Sequence, residues 1–191
     1  MLQTHHRVIL SDSRQMEAIK DASVHLVLTS PPYPMVTMWD ELFSDIAPEI
    51  PSLLESGQGF EAFCRMHATL LPTWRECARV LAPGGFLVIN IGDATRKIGG
   101  DFQLYENHAV VLQQARELGL QVLPDILWRK PNNSPNKFLG SGMLPPCAYV
   151  TYEHEYILVL RKGGLRSFPK QDRGRRRQSA YFWEERNQWF S

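Results

Sequence analysis

The chain has 191 residues, of which 43% are hydrophobic and 21% charged, which suits one globular domain with a real core and excludes disorder along its whole length. Its formal charge is +1, so any affinity for nucleic acid must come from local patches, not from the field of the whole molecule. Cys64, Cys77 and Cys147 make no CxxC or Cys/His ligand spacing, so they are expected as reduced core residues and no metal site is expected. No apolar run approaches the ~20 residues of a membrane span, and the first residues lack a signal-peptide layout, which reads as a soluble cytoplasmic protein.

In chain order, residues 7–10 form a short apolar run that predicts a strand, and 14–20 predict a helix capped by Asp12 or Ser13. The run Val24-His25-Leu26-Val27-Leu28 predicts a buried strand. Residues 37–59 carry scattered prolines and glycines and read as an irregular stretch, too long for a mere connector and a candidate lid. Phe60, Phe63, His67, Leu70, Trp74, Cys77 and Leu81 recur at the spacing of a helix face, with Pro72 expected to kink or divide the helix. His67 on that stripe reads as a satisfied core residue. Pro83-Gly84-Gly85 predicts a turn and 86–93 a second buried strand with a polar end. A helix over 106–118 stops at Gly119, and strands follow over 121–129 and 152–161 around a loop at 130–137.

The segment after the first buried strand is Thr29-Ser30-Pro31-Pro32-Tyr33-Pro34. Side chains there would sit in the crevice at the carboxyl end of a sheet strand, where open α/β sheets bind ligands. Two adjacent prolines fix φ and remove two N–H donors, leaving a stiff turn that presents carbonyls. The same letters also suit a polyproline-like turn that serves a proline-recognition domain.

Leu28 to Pro34 in this setting resembles the catalytic motif of amino-group DNA methyltransferases. The helix, glycine turn and strand around Pro83-Gly84-Gly85, the segment Trp128-Arg129-Lys130-Pro131-Asn132, and Glu153-His154-Glu155-Tyr156-Ile157-Leu158-Val159-Leu160-Arg161-Lys162 resemble later segments of that family in the same order. The arrangement is similar to the beta type, in which the catalytic half precedes the methyl-donor half. The resemblance implies an α/β, Rossmann-like S-adenosylmethionine-dependent fold with a mixed sheet. It also implies methyl transfer from S-adenosylmethionine to an exocyclic amine of DNA, without a covalent intermediate. An exocyclic amine is a poor nucleophile because its lone pair is delocalised into the ring, so a site that accepts its protons turns that pair toward the donor. By resemblance the acceptors are the Ser30 side chain and the Pro31 carbonyl, Pro32 stiffens the turn, and Tyr33 offers a face for a base drawn out of the duplex. Thr29 and Ser30 border the donor, and Asp12 matches the acid that contacts its adenine, with helix capping as the competing role. Serine at the first motif position favours cytosine N4 over adenine N6.

The donor loop of this family, Asp-Pro-Phe-x-Gly-x-Gly between a strand and a helix, is not matched. Phe138-Leu139-Gly140-Ser141-Gly142-Met143 mimics its letters, but loop sequence precedes it and Leu144-Pro145-Pro146 would break a helix after it. The expected fold is therefore incomplete at the C-terminus, completed by a second polypeptide or truncated. Residues 1–162 are expected to form the catalytic part, and 163–191 a basic and aromatic start of a target-recognition or partner-contacting region. Between Arg161 and Arg177 the cations face a single acid, Asp172, which reads as phosphate contact or as a solvated loop. The DNA-contact candidates are Lys130, Asn132, Lys137, Arg173, Arg175, Arg176 and Arg177. Two other functions fit the residues: a DNA-binding remnant or subunit without catalysis, and an amino-methyltransferase acting on RNA or protein.

Overall fold

A five-stranded mixed sheet organises the chain, with strands in the order β1-β2-β7-β5 and β6 also paired to β7. The computed structural model describes residues 4–130 and 152–165. Strand β1 (Val24–Thr29) runs parallel to β2 (Leu81–Ile91), so both carboxyl ends open at the same end of the sheet. Strand β7 (His154–Lys162) returns antiparallel beside β2 and also pairs with β5 (Leu120–Val122) and β6 (Ile126–Arg129). The Rossmann-like, mixed-sheet expectation is met.

Helix α3 (Gly59–Val80) buries Phe63, His67, Leu70, Trp74 and Cys77 of the predicted stripe together with Met66, whereas Phe60 in its first turn is exposed. It is continuous across Pro72. A proline in a helix interior costs about 3 kcal/mol, whereas each large apolar side chain fully buried contributes roughly 1.5–3 kcal/mol, so the buried face outweighs the break. Lys162 closes the end of α3 by donating to the carbonyls of Ala78 and Arg79 at 2.6 and 3.3 Å. The Pro83-Gly84-Gly85 turn is accommodated inside β2, because Leu81 pairs with Val24 while Phe86 already pairs with Leu26. Gly85 is required there, since a Cβ would stand 2.9 Å from the Ala82 carbonyl and 3.1 Å from that of Val24. Helix α4 (Asn107–Glu117) ends before Gly119, whose φ of 78° reverses the chain as expected.

Several expectations are corrected. Residues 7–10 are not a strand: Val8 and Leu10 are 86% and 96% exposed, and no described strand pairs with them. Residues 14–20 form turns instead of a helix, because α3 side chains occupy their backbone groups. The Arg79 guanidinium donates to the carbonyls of Met16 and Ile19, and Glu76 accepts from the Met16 amide at 2.7 Å. Strand β1 is not buried on both faces; Leu26 and Leu28 are 57% and 72% exposed, and β1 stands at the end of the described sheet. The stretch 37–59 is ordered as a 3-10 turn (Thr37–Trp39), α1 (Asp40–Ile46) and α2 (Ile50–Glu55), anchored by buried Phe43 and Ile50. Its prolines fall where helices tolerate them, Pro51 in the first turn of α2 and Pro48 between α1 and α2. The strand predicted over 121–129 is divided into β5 and β6, because Pro124 has no N–H for the ladder. Cys64 is exposed on the outer face of α3, whereas Cys77 is a free, buried thiol that burial pushes up to about 11. Cys147 lies outside the described residues.

A second, two-stranded sheet, β3 (Ala94–Ile98) with β4 (Asp101–Tyr105), was not anticipated. Gly99 and Gly100 at φ 61° and 95° make its two-residue turn. Arg96 of β3 holds Asp40 of α1 through two hydrogen bonds of 2.8 and 2.6 Å, which ties the segment after the proline turn to this hairpin.

Candidate active site

The proline turn, the end of β2 and the start of β7 converge on an open cavity of about 720 Å³. Ser30, Pro31 and Tyr33 line it from one side, Gly92 and Asp93 from just past β2, and Lys130 with Tyr152 to Glu155 from the end of β6 and the approach to β7. Val36, Met38 and Trp39 form the remaining wall, so the segment anticipated as a lid contributes its first residues to the site.

The turn is braced from below. Asn107, fully buried at the start of α4, donates to the Pro34 carbonyl at 3.0 Å and to the Gly92 carbonyl at 2.9 Å. Its own oxygen lies 3.0 Å from His67 Nε2. His67 therefore is a core residue that orients Asn107, and burial holds its imidazole down at about 4. Met35 follows Pro34 at φ 66°, a conformation that side chains rarely adopt, with its side chain buried and its amide donating to Met66 Sδ at 3.2 Å. Asp93 accepts from the His108 amide at 3.0 Å and pairs with His108 Nδ1 at 2.7 Å, while the His108 ring stacks on Tyr156 with 3.9 Å between centroids.

Hydroxyl directions around Tyr33 follow from the donors present. Glu155 can only accept, so the Tyr33 hydroxyl donates to its Oε2 at 3.1 Å. Asn90 Nδ2 donates to Tyr33 Oη at 2.8 Å and to Glu155 Oε2 at 2.7 Å. The Ser30 hydroxyl, 3.2 Å from Tyr33 Oη, must then be a donor to Tyr33, which leaves the Ser30 lone pairs free to accept. Lys130 Nζ donates to the other Glu155 oxygen at 2.5 Å and lies 4.7 Å above the Trp128 ring. Burial alone would raise Glu155, but the bonds from Lys130, Asn90 and Tyr33 outweigh it and hold the carboxyl below its ordinary value. Burial and the neighbouring carboxylate raise the Tyr33 phenol, against the bonds from Ser30 and Asn90. The ring of Tyr33 lies so close to β2 that a Cβ on Gly92 would stand 3.2 Å from its Cε2.

The sequence-predicted residues separate into three groups. Ser30, Pro31 and Tyr33 meet at the cavity, with Pro32 between them and Thr29 paired to Ile89 at the end of β1. Asp12 is not brought into that cavity; it is exposed, accepts from the Arg14 amide and guanidinium, and is held below the ordinary carboxylate range by them. Lys130 lines the cavity wall but is engaged by Glu155. Arg161 and Lys162, the first cations of the basic run, bind Gln121 and the end of α3 respectively. Asn132, Lys137, Arg173, Arg175, Arg176, Arg177 and the segment 138–143 lie outside the described residues, as does 166–191. Asn90, Asp93, Asn107 and Glu155 were assigned no role from sequence. The polar end of the 86–93 strand and a carboxylate inside the β7 pattern were the available signals.

Comparison with known proteins places these features in context. A family model described as DNA methylase matches residues 24–190. Type II methyltransferase M.MthZI of Methanothermobacter thermautotrophicus is 55% identical over 192 residues, covering 100% of this chain and 54% of the relative. Type II methyltransferase M.MjaI of Methanocaldococcus jannaschii is 51% identical over 199 residues, covering 98% of this chain and 65% of the relative. The chain thus spans between about half and two thirds of the length of these relatives. Among solved structures, TTHA0409 of Thermus thermophilus in complex with S-adenosyl-L-methionine superposes with a TM-score of 0.62 at 33% identity, covering 84% of this chain and 57% of the other.

Proposed function

This chain belongs to the N6/N4 DNA methylase family, and from that premise we propose that it carries the catalytic part of an enzyme that methylates an exocyclic amine of DNA, cytosine N4 before adenine N6. The observation that carries the reading is that Ser30 donates to Tyr33 at the carboxyl end of β1, which leaves its lone pairs free on the cavity side. Ser30 Oγ and the Pro31 carbonyl accept the two amine protons, which turns the nitrogen lone pair out of the base plane. Tyr33 gives the extruded base a face, held in place by Asn90, Glu155 and the close approach of Gly92. Orientation of this kind supplies several kcal/mol of barrier reduction, with ~7–11 kcal/mol as the ceiling. The serine at the first motif position supports cytosine over adenine.

S-adenosylmethionine is the proposed donor, supplying an electrophilic methyl group on a sulfonium. The residues present fit its cationic centre: Tyr33, Trp39 and Tyr152 border the cavity with aromatic rings, and Glu155 borders it with a carboxylate. Thr29 and Ser30 border the donor in this reading, and Asp12, outside the cavity, contacts its adenine in exchange for Arg14. The chain covers 54% and 65% of the two relatives' lengths, and in this reading the donor's methionine end is held by a counterpart of their remaining length, on a second polypeptide or on a longer form of this chain, packed against the exposed side of β1 at Leu26 and Leu28. Duplex phosphates are assigned to Asn132, Lys137, Arg173, Arg175, Arg176 and Arg177, and the protein acts in the cytoplasm. No helix among the described residues is long and apolar enough to cross a membrane.

Mass analysis of nucleosides tests the reading, after DNA and RNA are offered together to the chain and its complementing polypeptide with S-adenosylmethionine. N4-methylcytosine in DNA is expected. Methylation confined to RNA, or DNA binding without any methylated nucleoside, contradicts it.

A further inference from the structure

Ser30, Tyr33 and Glu155 form one unbroken line of hydrogen bonds that starts at the cavity and ends on a carboxylate, through contacts of 3.2 and 3.1 Å. We propose that this line is the exit for the proton that the methylated amine must lose, with Glu155 as its final acceptor. The proposal rests on the amine-methylation reading above.

The step balances along the line. As the amine forms its new N–C bond, the S–C bond of the sulfonium donor breaks and its electron pair stays on sulfur. The nitrogen is left with one proton too many and a positive charge. That proton moves to Ser30 Oγ, the Ser30 hydroxyl proton moves to Tyr33 Oη, and the Tyr33 proton moves to Glu155 Oε2. Ser30 and Tyr33 end as they began. Glu155 ends as a neutral carboxylic acid, so the positive charge lost at sulfur is matched by the negative charge lost on the carboxylate.

Two features suit the line to this task. Its polarity is already set, since Asn90 donates to both Tyr33 Oη and Glu155 Oε2 and leaves each hydroxyl proton a single direction to point. The acceptor also need not be a strong base. A protonated exocyclic amine, whose lone pair belongs in the ring, is a far stronger acid than a carboxylic acid, so a carboxylate stabilised by Lys130 still takes its proton downhill.

Tyr33→Phe keeps the ring and removes the relay, and Glu155→Gln removes the acceptor. Single-turnover methylation of duplex DNA is measured for the chain with its complementing polypeptide, unsubstituted, as each variant and as the double variant, with DNA affinity measured alongside. Each single variant is expected to slow the methylation step by about 100-fold, the lower range of general acid–base effects, with DNA affinity within about twofold. The double variant is expected to be no slower than the slower single one, because both act through one line. A Tyr33→Phe protein as fast as the unsubstituted one overturns the relay and leaves amine methylation standing, as does a double variant whose losses multiply. No methyl transfer by the unsubstituted protein overturns both.

Discussion

The side-chain amide of Asn107 donates to the carbonyl of Pro34 at 3.0 Å, so the start of α4 holds the last residue of the proline turn. The same amide holds the Gly92 carbonyl at the end of β2, and the two cavity walls therefore share one buried brace. Asn107→Asp replaces that donor with a carboxylate facing two carbonyls. The expected loss of stability is about 2–4 kcal/mol, from buried groups left unpaired, read as a lower denaturant midpoint with unchanged slope. An unshifted midpoint would remove Asn107 from this role.

Gly92→Ala tests the approach of Tyr33 to β2 without removing any polar group. The new methyl would meet Tyr33 Cε2 and Glu155 Cγ, both at 3.2 Å, so the ring or the carboxylate must shift by a few tenths of an ångström. Methylation should fall by more than about tenfold while the melting temperature changes by only a few degrees, since misplacement of an aligned group costs rate before stability. Full activity would show that the site tolerates a displaced ring.

Arg96 and Asp40 form a half-buried pair with two hydrogen bonds, and it joins α1 to the β3–β4 hairpin. A double-mutant cycle with Arg96→Met and Asp40→Asn should return a coupling of about 1–3 kcal/mol, the range of hydrogen bonds to charged groups. Coupling near zero would mean that the cavity wall at Met38 and Trp39 is held by apolar packing alone.

His67 gives the fold an acid-sensitive point. Its imidazole sits near 4 in the fold against an ordinary value of 6.5, because burial disfavours the cation. Between those values the unfolded chain binds a proton that the folded chain does not, so stability is complete above about 6.5 and falls as the pH drops. Denaturation at pH 7 and pH 5 should differ by about 2 kcal/mol from this residue, and His67→Gln should flatten that difference. Glu76 does not interfere, since Arg79 and the Met16 amide hold it at about 2 and its contribution is lost only below its ordinary 4.5. An equal pH response in the variant would contradict the assignment.

Local patterns made much of this legible in advance. The spacing of Phe63, His67, Leu70, Trp74 and Cys77 defines α3, Gly119 ends α4, and the strand before Ser30-Pro31-Pro32-Tyr33 places the turn at the sheet's ligand-binding end. What escaped depends on partners far apart in sequence. Residues 14–20 have helix-compatible letters, yet Arg79 and Glu76, about 60 positions later, take their backbone groups. Asn90 and Glu155 look like a polar strand end and an ordinary β7 residue until the antiparallel register brings them together on Tyr33. The Gly99-Gly100 pair between Ala94 and Tyr105 is a local hairpin signal that the sequence does carry.

The central claim is that Ser30 aligns the target amine through its lone pairs. Its most direct test is the rate of methyl transfer to DNA by Ser30→Ala, set against that variant's affinity for the same DNA. The account predicts a loss of at least about 100-fold in rate, the scale for removing one aligned hydrogen-bonding group, with affinity within about twofold. A Ser30→Ala protein that methylates DNA at the unsubstituted rate would contradict it.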